Sequence, residues 1–201
     1  MILIGIVGKK QSGKSTLAKS LINVGAKVYS YATPIKEFCH NVLGLTYEQC
    51  YGTDEQKNTL TKYKWEDLPH YSKMASDQVI LKVFCKKDSD LPSGFMTARQ
   101  VFQEFGTGMI RRMYKNVWID YLFNQIKKDN VNLAIIDDVR FIDEAQAVKD
   151  NGGQLVKLLR GVTGDNHQSE SELEKIEGFN LIIPDLDKDS TLTYFMDYFK
   201  F

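Results

Sequence analysis

Gly8-Lys9-Lys10-Gln11-Ser12-Gly13-Lys14-Ser15 has the spacing G-x-x-x-x-G-K-[ST], and each residue type in it suits one part of holding a nucleotide's phosphates. Gly8 and Gly13 let the backbone wrap an anion. The successive N–H groups from Lys10 through Ser12 and Gly13, with the N-terminus of the helix that must follow, then face it. Lys14 is long enough to reach β- and γ-phosphate oxygens such as those of ATP, and Ser15 offers a hydroxyl to Mg2+. Thr16 is either a further phosphate contact or a plain second-turn residue. A glycine- and lysine-rich surface turn has the same composition, so what separates the two readings is context: the loop must leave a buried strand and enter a helix.

A second group of residues could complete that chemistry. Leu133-Ala134-Ile135-Ile136-Asp137-Asp138 is an apolar run closing on two carboxylates, the form of a Walker B strand that orders a metal ion. Alternation along a strand sends the two side chains to opposite faces, so one of them faces the phosphate loop and the other does not. The competing reading is a pair of aspartates that cap the next helix. Arg140 follows two residues on, at the edge where open α/β sheets bind ligands, and Arg160 ends a later strand. Arg99, Arg111 and Arg112 read equally as surface charges or as planar donors for a phosphate monoester. Arg111 and Arg112 point about 100° apart on a helix, so one of the two serves a common site. Residues 161–166 form a polar, glycine-bearing loop that looks like a lid. His167 through Glu170 then open a helix, in which Ser169 with Glu172 reads equally well as a capping box.

The elements that must carry these residues are visible in the hydrophobic pattern. Residues 1–7 are continuously apolar, as a strand covered on both faces requires. Residues 15–24 read as a helix closed by Gly25, and 27–31 as a second strand. Runs at 131–137 and 154–159 flank a helix around 143–149, and a short run at 180–183 leads into Leu192, Phe195, Met196 and Phe199 at helical spacing. This alternation predicts a three-layer α/β/α sandwich on a mostly parallel five-stranded sheet, folded as a single domain. Residues 33–130 break the rhythm and read as a helical insertion on the substrate side. Within it, Thr97 and Gln100 form a capping box for a helix stopped by Gly106, Ile119 to Ile126 mark another helix, and Val79, Leu81 and Val83 suggest a hairpin.

Composition narrows the classes. The 201 residues are 43% hydrophobic and 26% charged, which describes one globular domain and excludes a repeat array or a disordered tail. The 26 lysines and arginines cancel the 26 aspartates and glutamates, which argues against a duplex nucleic acid as the main partner. The opening apolar run is far short of a membrane span and lacks a cleavage site. Cys39, Cys50 and Cys85 are odd in number and form no C-x-x-C pair, as suits reduced thiols, and the chain reads as cytoplasmic. His40 and His70 stand at no zinc-finger spacing from a cysteine.

With these residues assembled, the chain resembles the bacteriophage deoxynucleoside monophosphate kinases, a branch of the P-loop nucleoside monophosphate kinases, over most of its length. Residues 31–36 (Tyr-Ala-Thr-Pro-Ile-Lys) are similar to that family's segment after strand two, and Tyr47 through Gly52 to its following substrate-side turn. Ala98-Arg99-Gln100, Phe105-Gly106-Thr107 and Trp118 are similar to its Arg…Gly-Thr…Trp helix pair. Asp138-Val139-Arg140 matches its Asp-x-Arg, Gly152-Gly153 its next turn, and Asp165-Asn166-His167-Gln168-Ser169-Glu170 its lid motif. Two departures stand out: Gly108 and Ser15 occupy positions where related sequences often carry acidic residues.

The resemblance implies transfer of the ATP γ-phosphoryl group to a deoxynucleoside 5′-monophosphate with Mg2+. Lys14, Asp138, Arg140 and Arg160 are then catalytic. Arg99, Trp118, Asp138 and Arg140 then lie on the acceptor side, to which the residues themselves add one of Arg111 and Arg112 together with His167 and Glu170, with Ser15 and Asp137 read as holding the metal. It also implies a homodimer. Two other readings stay open on the residues alone: a P-loop kinase for another small acceptor, and a nucleotide-dependent switch, although the guanine-reading Asn-Lys-x-Asp is absent.

Overall fold

β1 (Ile2–Gly8) is buried from Leu3 onward, because it has a parallel partner on each side and a helical layer over each face. The structure is a computed structural model and describes residues 1–68, 92–160 and 172–201. β1 is joined in one sheet by β2 (Lys27–Tyr29), β5 (Leu133–Val139), β6 (Gln154–Leu158) and β7 (Leu181–Ile183), in the order β2-β5-β1-β6-β7. Every pairing in that sheet is parallel, with Ile4 beside Ile135 on one flank and Ile6 beside Val156 on the other.

Strand alternation divides the apolar side chains between two faces. Leu3, Val7, Ala134, Ile136 and Leu155 lie on one face. They pack with Ile119, Leu122, Phe123 and Ile126 of the helix Val117–Asp129, and with Ala145 and Val148 of the helix Ile142–Asp150. On the other, Ile4, Ile6, Leu133, Ile135 and Val156 pack with Leu17, Ala18 and Leu21 of α1 (Lys14–Leu21) and with Phe195 of the C-terminal helix Lys188–Phe199. The expected three layers follow directly. The phenol of Tyr29 donates to Asp129 Oδ2 at 2.8 Å, tying β2 to the end of the Val117–Asp129 helix. Burial, and then that hydrogen bond, raise the Tyr29 pKa above its ordinary value.

The described chain divides into two compact units, Met1–Ala32 with Asn116–Phe201, and Thr33–Lys115. The sequence reading carried the insertion to about residue 130. The second unit ends at Lys115 because the four buried apolar residues of the Val117–Asp129 helix belong to the sheet's core. The second unit contains α2 (Thr33–Asn41), α3 (Tyr47–Tyr51), α4 (Asp54–Lys57), an antiparallel pair formed by β3 (Leu60–Lys64) with β4 (Phe95–Thr97), and α5 (Ala98–Gln103). Its core is Cys39, Leu45, Cys50, Trp65, Met96, Ala98 and Val101. Burial, with Cys50 adding to it, pushes the Cys39 thiol up to about 12.

The capping box forms as expected: Thr97 accepts from the Gln100 N–H, and the Gln100 side chain accepts from the Thr97 N–H. Gly106 does not stop the helix. The chain widens into a π turn at Glu104–Ile110 and continues as a single turn at Arg111–Met113. The glycine serves packing instead: a Cβ on Gly106 would lie 2.8 Å from Ile35 Cδ1. β3 carried no sequence expectation. The expected hairpin at Val79, Leu81 and Val83 lies outside the described residues, as do His70 and Cys85. Among the described residues no helix is long and apolar enough to cross a membrane.

Gly153 tests this account of the sheet core. A Cβ there would lie 2.8 Å from Leu3 Cγ, Val148 Cγ1 and the Val148 carbonyl oxygen. Gly153→Ala should therefore cost about 1–3 kcal/mol by overpacking, seen as a lower midpoint in urea with an unchanged slope. A stability equal to wild type would mean that the turn is not pressed against the core.

Candidate active site

β1 delivers the chain into the loop at Gly8, and α1 takes it up at Lys14. Between them the backbone reverses its hand twice. Gln11 (φ +60°) and Gly13 (φ +89°) both sit in the left-handed region, and the Ser12 N–H donates to the Lys9 carbonyl at 3.2 Å. Such alternation turns successive N–H groups toward one concavity, and holding a non-glycine residue there costs about 1 kcal/mol or more. Gly8 must lack a side chain, because its Cβ would lie 2.6 Å from the Ser12 hydroxyl. The Lys14 ammonium is buried and donates to the Gly8 carbonyl (2.5 Å), the Lys9 carbonyl (2.6 Å) and Ser12 Oγ (3.2 Å). Three acceptors match the three protons of an ammonium group, so the cation is fixed inside the loop. Thr16 is exposed on the first turn of α1, Lys10 is half-buried, and Lys9 pairs with Glu174 at 2.8 Å. That contact holds the Glu174 carboxyl below the usual range.

The two aspartates of β5 serve different neighbours, as expected. Asp137 Oδ2 accepts from the Ser15 hydroxyl at 2.9 Å, joining the end of β5 to the first turn of α1. Asp138 turns to the segment after β2. Its Oδ1 accepts from the Tyr31 N–H (2.8 Å), and its Oδ2 from Ser30 Oγ (2.7 Å) and the Ala32 N–H (3.0 Å). The register shifts at this point. Gly5 pairs with Ile136 and Val7 with Val139, so β5 fits Asp137 and Asp138 opposite the single residue Ile6.

Arg140 is exposed just past β5. Its backbone N–H and that of Phe141 both donate to Glu144 Oε2, at 2.9 and 3.1 Å. Glu144 is buried, and sequence reasoning missed it. The available sign was a glutamate three residues into a helix whose preceding residue, Phe141, cannot cap it. Arg160, past the end of β6, is exposed and lies against Asp185 and the Leu186 carbonyl.

The remaining expected residues are spread over the chain. Arg99, in the second unit, is held by Asp54 Oδ1 at 2.5 Å through Nη2 and by Asn58 Oδ1 at 3.2 Å through Nε. Arg111 is half-buried and Arg112 exposed in the turn after the widened helix. Trp118 is partly buried and packs against the sheet core. His167 and Glu170 lie outside the described residues. The structure thus brings together Lys14, Ser15, Ser12, Gly8 and Asp137, with Asp138 beside them on β5. Among the described residues no three His, Cys, Asp or Glu side chains gather to hold a metal ion. The hydroxyl of Ser15 and the carboxylate of Asp137 are hard oxygen donors, and Mg2+ sites use one or two such groups together with substrate phosphates.

Comparison with known proteins gives two relatives. The chain is 30% identical over 198 residues to a protein of Acanthamoeba polyphaga mimivirus named deoxynucleotide monophosphate kinase, covering 91% of this chain and 88% of that one. It is 28% identical over 182 residues to the deoxynucleoside-5′-monophosphate kinase of Escherichia phage T5, covering 74% of this chain and 72% of that one. No protein-family model matches the chain.

The two aspartates should respond differently to the same change. Asp138→Asn sets an amide NH2 against at least one of three donors and should cost about 1–3 kcal/mol, whereas the Ser15 contact survives in Asp137→Asn because the amide oxygen can still accept from the Ser15 hydroxyl. Urea unfolding of the two variants measures this. Equal losses would show that Asp138 does not hold the segment after β2.

Proposed function

The chain belongs to the deoxynucleoside monophosphate kinase family and is a nucleotide kinase; from that premise we propose that it moves the γ-phosphoryl group of ATP to a deoxynucleoside 5′-monophosphate, and how its residues do so. The observation that carries the reading is the Ser15–Asp137 hydrogen bond, since it joins the helix after the phosphate loop to the carboxylate end of β5, one strand away. That junction is what a triphosphate and its metal need, while a phosphate-binding loop alone would serve many ligands.

In the proposed reaction an oxygen of the acceptor's phosphate attacks the γ-phosphorus. The bond from that phosphorus to the oxygen bridging it to the β-phosphate breaks, and ADP leaves with the bond's electron pair. The loop N–H groups and the N-terminus of α1 hold the β-phosphate. Lys14 exchanges its loop carbonyls for phosphate oxygens and carries positive charge to the migrating group. Mg2+ held by Ser15 and Asp137 would neutralise charge on the β- and γ-phosphates. Asp138 fixes the segment after β2, and Glu144 fixes the backbone that presents Arg140. Arg140 and Arg160 balance charge on the transferred group, and Arg99 takes the acceptor's phosphate, with Arg111 or Arg112 adding to it. His167 and Glu170 carry the acceptor-binding role expected of them. The packing of Trp118 against the sheet core supports a structural role for its ring. The names of both relatives argue against another acceptor class and against a non-catalytic switch.

A coupled ATP-consumption assay across the eight common ribo- and deoxynucleoside monophosphates tests the reading. Turnover is expected with at least one deoxynucleoside monophosphate, and none with any of the eight would overturn the assignment. Lys14→Ala should lower that turnover about 10²–10³-fold while the protein stays folded. A folded variant that keeps more than about a tenth of the activity would remove Lys14 from the mechanism.

A further inference from the structure

Among the described residues Arg99 is held from one side only. Its Nε–H donates to Asn58 Oδ1 at 3.2 Å and its Nη2 to Asp54 Oδ1 at 2.5 Å. Nε and Nη2 form the side-on edge of a guanidinium, so the two partners occupy that edge. The five N–H donors of arginine lie in a fixed plane, and the two bonds leave both protons of Nη1 and the second proton of Nη2. Those form the end-on fork, which matches two oxygens of a phosphate. The side chain is 27% exposed, enough for solute to reach it, and it makes no other hydrogen bond or ion pair among the described residues.

The supporting groups are themselves placed by backbone structure. Asp54 is the first residue of α4, whose start is fixed by Thr53 accepting from the Gln56 N–H and by the Gln56 side chain accepting from the Thr53 N–H. Asn58 closes the same helix, with its N–H on the Asp54 and Glu55 carbonyls. Arg99 is the second residue of α5, set by the Thr97 capping box. A single-turn helix that starts with a carboxylate and ends with an amide therefore holds both ends of one guanidinium edge.

We infer that Asp54 and Asn58 are positioning residues for the kinase reaction, holding Arg99 by its side-on edge so that its end-on fork takes the acceptor's phosphate. The inference rests on the reading of Arg99 given above. Arginine loses much side-chain freedom when it binds, and a guanidinium already fixed in its plane has less to lose. Ordering one long side chain in advance corresponds to about a 2- to 10-fold gain in affinity. Asp54 leaves the guanidinium three donors and offsets its charge in the absence of substrate.

Steady-state kinetics with both nucleotides, together with melting temperatures, tests this on Asp54→Asn, Asn58→Ala, Asn58→Asp and Arg99→Lys. Arg99→Lys should raise KM for every accepted monophosphate and leave KM for ATP unchanged. Asp54→Asn and Asn58→Ala should each raise the monophosphate KM about 2- to 10-fold with kcat and the ATP KM close to wild type, and Asn58→Asp, which keeps an acceptor, should restore it. If Arg99→Lys leaves the monophosphate KM unchanged, the reading of Arg99 itself falls. If Arg99→Lys raises it while the Asp54 and Asn58 variants do not, that reading stands and the positioning role is overturned. A lower monophosphate KM in Asp54→Asn would make Asp54 a competitor of the phosphate, and parallel rises in both KM values would make the contact merely structural; either outcome overturns the inference. Should Asp54→Asn fail to fold, the Asn58 pair decides alone.

Discussion

The candidate site depends on β1 and β5 being parallel neighbours. Parallel strands end at the same edge of a sheet, so the loop that leaves β1 and the carboxylates that close β5 emerge side by side although 122 residues separate Ser15 from Asp137. Each partner of that contact is also held by its own element, Ser15 by the first turn of α1 and Asp137 by the bulge opposite Ile6. The bulge allows two consecutive carboxylates to serve two different neighbours, one on each side of β5. An unbroken ladder at this point would have spaced the pair against two residues of β1 and lost the extra twist.

The same edge shows how polar groups are used here. Lys14, Ser12 and Glu144 are buried, and each has its hydrogen bonds within a few residues of the sheet's end. Burying a charge or a hydroxyl is costly unless it is paired, so these groups order the backbone around them as well as serving any ligand. Lys14 holds the phosphate loop, Asp138 the segment after β2, and Glu144 the turn after β5. Three polar side chains thus set the positions of three loops.

Much of this could be read from the sequence, for reasons that can be named. β1 and β5 are buried on both faces, so their apolar runs are continuous, and the glycine and lysine spacing of the loop admits few structural uses. The separate partners of Asp137 and Asp138 were only half legible, because the two-residue period of a strand is broken by the register shift opposite Ile6. What was hidden depended on distance or on local irregularity. β3 is short and half-exposed, and its alternation resembles that of a polar loop. Gly106 has the look of a helix stop but is a point of close packing against Ile35, 71 residues earlier in the chain. Nothing near Arg99 in sequence points to Asp54 and Asn58, which are 45 and 41 residues away. Glu144 was overlooked because a capping carboxylate is usually sought with a serine or threonine partner, and Phe141 supplies none.

The strand order also has a consequence for the order in which the protein is made. Among the described residues β1 pairs with β5 and β6, and β2 with β5, so the first two strands are not paired with each other. The ribosome must therefore add about a hundred further residues after β2 before β5, the neighbour these two strands share, is made, which takes on the order of 5–20 s at the usual rates of synthesis. Throughout that interval the run Ile2-Leu3-Ile4-Gly5-Ile6-Val7, uncharged and without proline, is outside its sheet, and such segments self-associate readily. A stretch that is buried from Leu3 onward in the finished core is thus exposed to aggregation while the chain is being made.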